Sequence, residues 1–292
     1  MNRTGGGRPN AVGQRDDDHA GSGTSTTPRS TIPSVAGRER VPLPTRVDDL
    51  PPLPPGYAAT LETGLAALRL SLPSPARSAI DDHVRLLLAW TTAINLTAIR
   101  DPEAVAREHV LDSLSALTLL RDRGVDAFLD LGSGGGFPGI PLALALPARR
   151  ALLVDSVAKK VRFLATVTAA LGIDERVAVA VIRSEALATD PRHRVAWPAV
   201  VVRAVAPLAE LAELAFPLLG PSGLLVAWKR LPLDEELAQA SRAFAAVGGG
   251  LPEIVPSNVP GLEDHALVAV PRVRPTPAGY PRPPAERARR PW

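Results

Sequence analysis

Phe128-Leu129-Asp130-Leu131-Gly132-Ser133-Gly134-Gly135-Gly136-Phe137-Pro138-Gly139 is the stretch that decides the fold. It is a short apolar run that carries an acid and then breaks into glycines, the pattern of a buried strand followed by a tight turn. Gly132, Gly134 and Gly136 lack a Cβ and tolerate positive φ, so the backbone can bend sharply and a ligand can lie directly against its amides. In α/β sheets such a turn, at the carboxyl end of a strand, is a nucleoside site.

Two cofactor classes use this turn, and the register separates them. Gly134, Gly136 and Gly139 fit the Gly-x-Gly-x-x-Gly of a dinucleotide site, but they start two residues beyond the strand end and Pro138 interrupts them. The register that starts at Gly132 follows the strand directly and keeps Asp130 beside the loop. A pyrophosphate would be repelled by that carboxylate, whereas the cationic sulfonium and amino group of S-adenosylmethionine (SAM) would not. Asp130, Gly132 and Gly134 therefore read as cofactor-binding residues of a methyltransferase. A NAD-binding oxidoreductase, a non-catalytic nucleotide sensor and a turn without ligand are the competing readings.

The chain beyond the turn agrees. Ala151-Leu-Leu-Val-Asp155 is a second apolar run ending in an acid, about twenty residues after the first glycine, where α/β nucleoside sites place a carboxylate for ribose hydroxyls. Asp155 is that candidate, and it also stands where it can cap the next helix. Further strands are expected at 177–182, 199–202 and 223–229, with a late antiparallel one at 266–270, and helices at 140–146, 157–171, 208–218 and 234–246. The predicted architecture is an α/β, doubly wound, Rossmann-like sheet. Ligands in such sheets sit beyond the strand carboxyl ends, which gathers Gly132, Asp155, Ser184, Glu185 and Arg203 around one crevice.

The expected organisation has four parts. Residues 1–56 are rich in Gly, Ser, Thr, Pro and Arg without apolar periodicity and read as a disordered extension. Residues 57–126 carry helical spacing and read as a small helical subdomain, with Trp90 in its core. There His109 and Asp112 lie three apart on one helical face, either as a catalytic pair or as a structural contact, the latter being favoured. Residues 127–271 form the SAM-binding methyltransferase domain. Residues 272–292 form a basic, proline-rich tail in which six arginines (272, 274, 282, 287, 289, 290) face one acid, Glu286. Its arginines are available for phosphates and Tyr280 or Trp292 for a base, unless it is an ordinary solvated terminus.

Composition sets exclusions. With no cysteine, disulfides, thiol catalysis and Cys-ligated zinc are out, and no metal-ligand cluster stands at motif spacing. Hydrophobic content of 46% suffices for a full core. No apolar run approaches the roughly 18 residues of a membrane span, and the start lacks the hydrophobic stretch of a secretory signal, so a cytoplasmic location is expected. A net charge of +3 says little by itself about a polyanionic partner.

At this point the motifs resemble those of a known family. Asp130 to Pro141 and Leu153 to Leu164, with Ile94-Asn-Leu-Thr-Ala-Ile99, His109-Val-Leu-Asp-Ser-Leu114, Arg203-Ala-Val-Ala-Pro-Leu208 and the segment 274–282, are similar to RsmG, the glucose-inhibited division protein B family. The resemblance runs from about residue 57 to 284 and implies methylation of N7 of a guanine in bacterial 16S ribosomal RNA. It also implies SAM contacts at Gly132, Phe137, Ser184, Glu185 and Arg203, with Phe137 packing on the cofactor and the Ser184–Glu185 region reading adenine. Arg203 has three readings: the cofactor carboxylate, an RNA phosphate, or a structural pair with Asp130. Lys159, Lys160, Lys229 and Arg230 become RNA-binding candidates, against the plainer reading of solvated charges. The chain departs from the family at Arg230, commonly Gly, and at Thr91-Thr92, usually Asn-Lys. The implied partner is 16S rRNA or the small ribosomal subunit, met by a monomer. A SAM-dependent enzyme for a small metabolite is the alternative.

Overall fold

Strand β1 (Ala127–Leu131) is buried along its whole length. Its side chains alternate between two cores: Phe128 joins one, Leu129 and Leu131 the other. A strand covered on both faces belongs in a parallel sheet with helices on each side, and the computed structural model, which describes residues 42–146 and 150–292, shows that sheet. Its strands are β2 (Arg150–Asp155), β3 (Val177–Val181), β4 (Trp197–Arg203), β5 (Leu219–Arg230), β6 (Glu253–Pro256) and β7 (His265–Pro271), in the order β3-β2-β1-β4-β5-β7-β6. β1 to β5 run parallel, and β7 pairs antiparallel with both β5 and β6. The doubly wound sheet and its late antiparallel strand are thus as expected. β6 was not: four residues at the sheet edge are too few to show an alternation.

Helices α1 (Pro55–Ala67), α2 (Ser74–Thr91), α3 (Pro102–Val105), a π-helical turn (Ala106–Leu111), α4 (Asp112–Leu114) and α5 (Leu117–Asp122) precede the sheet. They share the first core with α6 (Gly139–Ala145) and α7 (Ala158–Ala170). The opposite face is covered by α8 (Ser184–Thr189), α9 (Leu208–Ala215) and α10 (Asp234–Val247). A last helix, α11 (Pro284–Arg289), follows the sheet. Phe128 and Phe163 in one core and Phe216 in the other are fully buried, each contributing about 1.5–3 kcal/mol by leaving water. Trp90 is a core residue, as read from the sequence.

The disordered extension expected over 1–56 lies outside the described residues up to position 41, and from 42 on it is corrected. Leu43, Val47, Leu50 and Leu53 pack on the first core. Trp90 Nε1 donates to the carbonyl of Pro44 at 2.7 Å, and Arg85 donates to those of Val47 and Pro51 at 3.0 Å each. The segment has no period of its own because side chains of α2 satisfy its carbonyls.

Candidate functional site

β1 lies between β2 and β4, so the chain leaves the sheet in opposite directions on its two sides. This is the switch point where open α/β sheets bind ligands. The turn that fills it holds Gly132, Gly134 and Gly136 at φ +76°, +56° and +88°. The amides of Gly132 and Ser133 both donate to Val154 O at 2.9 Å, which stitches the turn to β2. A Cβ at Gly132 would stand 2.6 Å from Val205 Cγ2, and one at Gly139 would stand 2.5 Å from Asp130 Oδ2. Gly132 needs glycine for close approach as much as for φ, and Gly139, which opens α6, for close approach alone.

Asp130 is enclosed under this turn. Its Oδ2 accepts the Gly139 amide at 3.1 Å, while Oδ1 is buried without a partner. Burial pushes its pKa up to about 7. Asp155 is more fully engaged: Oδ1 accepts from Val157 N at 2.9 Å, and Oδ2 accepts from Gly134 N at 3.1 Å and lies 3.7 Å from Lys160 Nζ. It bonds the amide of the helix N-cap residue, Val157, rather than being the cap itself. Ser184 and Glu185 open α8 directly after β3.

Phe137 is packed inside, 6% exposed, with its ring between two imidazoles: His83 at 4.5 Å and His109 at 4.9 Å between ring centroids. His83 Nε2 donates to Gly135 O at 2.8 Å, bracing the turn from α2.

Arg203, at the end of β4, organises a second centre. Nη1 donates to Glu108 O at 2.8 Å and to Asp112 Oδ2 at 3.0 Å, and Nη2 donates to His109 Nδ1 at 3.1 Å. The pairing of Arg203 with Asp130 is therefore corrected: the partner is Asp112, which the π-helical turn and α4 bring round to face β4. The direct His109–Asp112 pair is corrected too, since each bonds Arg203 instead. His109 Nδ1 also lies 3.2 Å from Glu108 O, and Nε2 is hydrogen-bonded to Thr97 Oγ1 at 2.7 Å. Burial, and after it the charge of Arg203, push the His109 pKa down to about 4. The carboxylate of Asp112 also accepts from His265 Nδ1 at 2.9 Å, and its carbonyl accepts Trp228 Nε1 at 2.7 Å. Arg203, His109, Asp112, Trp228 and His265 line a cavity of about 570 Å³ whose rim includes Val205, the residue against Gly132.

The family model described as rRNA small subunit methyltransferase G (GidB) matches residues 76–260, a stretch that contains the glycine turn, Asp155, α8 and Arg203. The chain belongs to the rRNA small subunit methyltransferase G family. Among its curated relatives, "Ribosomal RNA small subunit methyltransferase G" of Roseiflexus sp. (strain RS-1) is 41% identical over 70% of this chain and 87% of that protein. The protein of the same name from Dehalococcoides mccartyi (strain CBDB1) is 38% identical over 75% of this chain and 93% of its own length. A solved O-methyltransferase from Bacillus cereus in complex with SAH is similar at 15% identity with a TM-score of 0.48, over 74% of this chain and 99% of that one.

In this member of the family, the basic candidates divide. Lys159 is exposed, and Arg230 is exposed with a loose 3.8 Å contact to Asp264. Lys160 leans on Asp155, and Lys229 Nζ is turned inward to Ala206 O at 2.9 Å and Glu236 Oε1 at 2.6 Å. The tail is in part docked on the protein, while Arg274, Arg289 and Arg290 stay exposed. Arg272 donates to Leu219 O at 2.6 Å, Arg282 forks onto Glu213, Arg287 bonds Glu185, and Tyr280 stacks on Trp292. Among the described residues no helix is long and apolar enough to cross a membrane, and no group of His, Asp and Glu could hold a metal. His83, Thr97, His265 and Trp228 had no expected role. Only Thr97 stood inside a quoted motif.

Proposed function

We propose that this family member binds SAM in the crevice at the carboxyl ends of β1, β2 and β3 and methylates N7 of a guanine of 16S rRNA presented through the adjoining cavity. The observation that carries this reading is contiguity: Gly132 of the turn lies against Val205, and Val205 lines the cavity that Arg203, His109 and Asp112 shape. The residues suit the cofactor. Asp130 Oδ1 is a buried acceptor without a partner beneath a glycine cradle, and a cationic group nearby would return that carboxyl to its ionised form.

When bound, SAM supplies a methyl group on a cationic sulfonium. Guanine N7 has an in-plane lone pair and no proton to lose, so this chain needs no general base at the acceptor. His109 fits that requirement, being neutral at pH 7 and bonded at both nitrogens. Positive charge grows on the purine as the N–C bond forms and the C–S pair returns to sulfur. Asp112, shared by Arg203 and His265, neutralises the cavity wall against which that charge develops. Aligning the two reactants supplies most of the acceleration, up to roughly 7–11 kcal/mol in favourable cases. Arg230 and Lys159 serve the RNA phosphates from the rim, and the target base has to be unstacked to reach the cavity. The enzyme acts as a monomer in the cytoplasm.

Calorimetric titration with SAM and with NAD tests the cofactor half of this reading. The expected result is that SAM binds and NAD does not. Preference for NAD would return the site to the dinucleotide class.

A further inference from the structure

Glu185, which the family resemblance implies lies at the adenosine end of the cofactor, sits on α8 after β3, a helix of only six residues without a side-chain cap. So short a helix is marginal alone and takes its position from what grips it. The C-terminal tail grips it at both ends. Arg194 bridges from Ala188 O at 3.1 Å to the tail's Tyr280 O at 3.0 Å. Arg287 Nη2 donates to Glu185 Oε1 at 2.5 Å, its side chain 12% exposed. The tail in turn is anchored: Arg282 meets both oxygens of Glu213, at 2.9 and 2.7 Å, and Trp292 Nε1 adds a bond to the same carboxylate at 2.9 Å. Glu213 is fully buried on α9, so this anchor is costly to break.

We propose that Arg287 is a positioning residue for the cofactor, holding Glu185 in the rotamer that meets the adenosine end, so that the C-terminal tail is part of the SAM site without touching SAM. The inference rests on the proposed cofactor site. Its physical basis is preorganisation: a glutamate free to rotate must be ordered each time the ligand binds, and Arg287 has already ordered it.

Arg287→Ala, Arg287→Lys and Glu185→Gln, made in the full chain, test it by SAM calorimetry, steady-state kinetics and thermal unfolding without ligand. With Arg287→Ala the Kd and KM for SAM rise about tenfold, equivalent to roughly 1.4 kcal/mol, while kcat and the KM for RNA hold and Arg287→Lys restores part of the loss. A lowered melting temperature with unchanged SAM affinity would make Arg287 merely structural and overturn the proposal. Weakened binding in Glu185→Gln but not in Arg287→Ala would overturn the coupling alone. Unchanged binding in both would overturn the placement of Glu185 at the cofactor as well.

Discussion

His83 and His109 press on the two faces of Phe137, and burial pushes both pKa values down to about 4. An unfolded histidine titrates near 6.5. Between about pH 4 and 6.5 the unfolded chain therefore binds two protons that the folded state refuses, and stability falls as the pH drops through that window. Asp130 acts with the opposite sign: protonated up to about pH 7 in the fold and ionised when unfolded, it lowers stability as the pH rises over the same range. Two histidines against one acid leave one net proton. Unfolding free energy from this cluster should rise by ~1 kcal/mol per pH unit from about pH 4.5 to 6.5, and Asp130→Asn should roughly double that slope. Urea unfolding of the ligand-free protein at stepped pH measures both, and an equal slope in the two proteins would contradict the assignment. Asp112 supplies a second prediction at this scale. Removing it in Asp112→Ala leaves the Arg203 charge nearly buried and unpaired, a loss of about 3–5 kcal/mol, read as a fall in denaturation midpoint. The residues that the sequence showed plainly, Gly132, Asp130 and Asp155, stand in or just after the apolar runs of β1 and β2. Those it hid are paired at long range: His83 with Gly135 across 52 positions and His265 with Asp112 across 153.

Secondary-structure elements were legible in proportion to their length. β1, β2, β4 and β5 show apolar runs because both faces are covered, and α7 and α10 show helical spacing over 13 and 14 residues. β6 and α8, with four and six residues, carry no period and take their form from neighbours. The tail was legible only in part, for a different reason. Arg282 and Arg287 look like an RNA surface until the acids that receive them, Glu213 and Glu185, are brought against the tail by α9 and α8. Arg282→Ala leaves Glu213 buried with its main cationic partner gone and should destabilise the fold by about 3–5 kcal/mol. Arg289→Ala, whose Nε meets only a carbonyl of its own helix, should leave the melting temperature unchanged. Equal effects would mean that the tail is not docked through Glu213.

At the scale of the whole molecule, the sheet places the glycine turn and the cavity lined by Arg203 side by side along the carboxyl ends of its strands, in a chain of the rRNA small subunit methyltransferase G family. On the proposed reading, RNA contact is local, through Arg230 and Lys159 at the cavity rim. Methyl transfer should then weaken as salt rises, and Arg230→Ala should reduce that dependence without altering SAM binding. The most direct measurement is transfer of labelled methyl from SAM to 16S rRNA, supplied as naked RNA and as assembled small subunits, with the modified base mapped. The account predicts label at N7 of a single guanine, lost when Arg203 is replaced by Ala. Label on a small metabolite in place of RNA, or at a base position other than guanine N7, would contradict it.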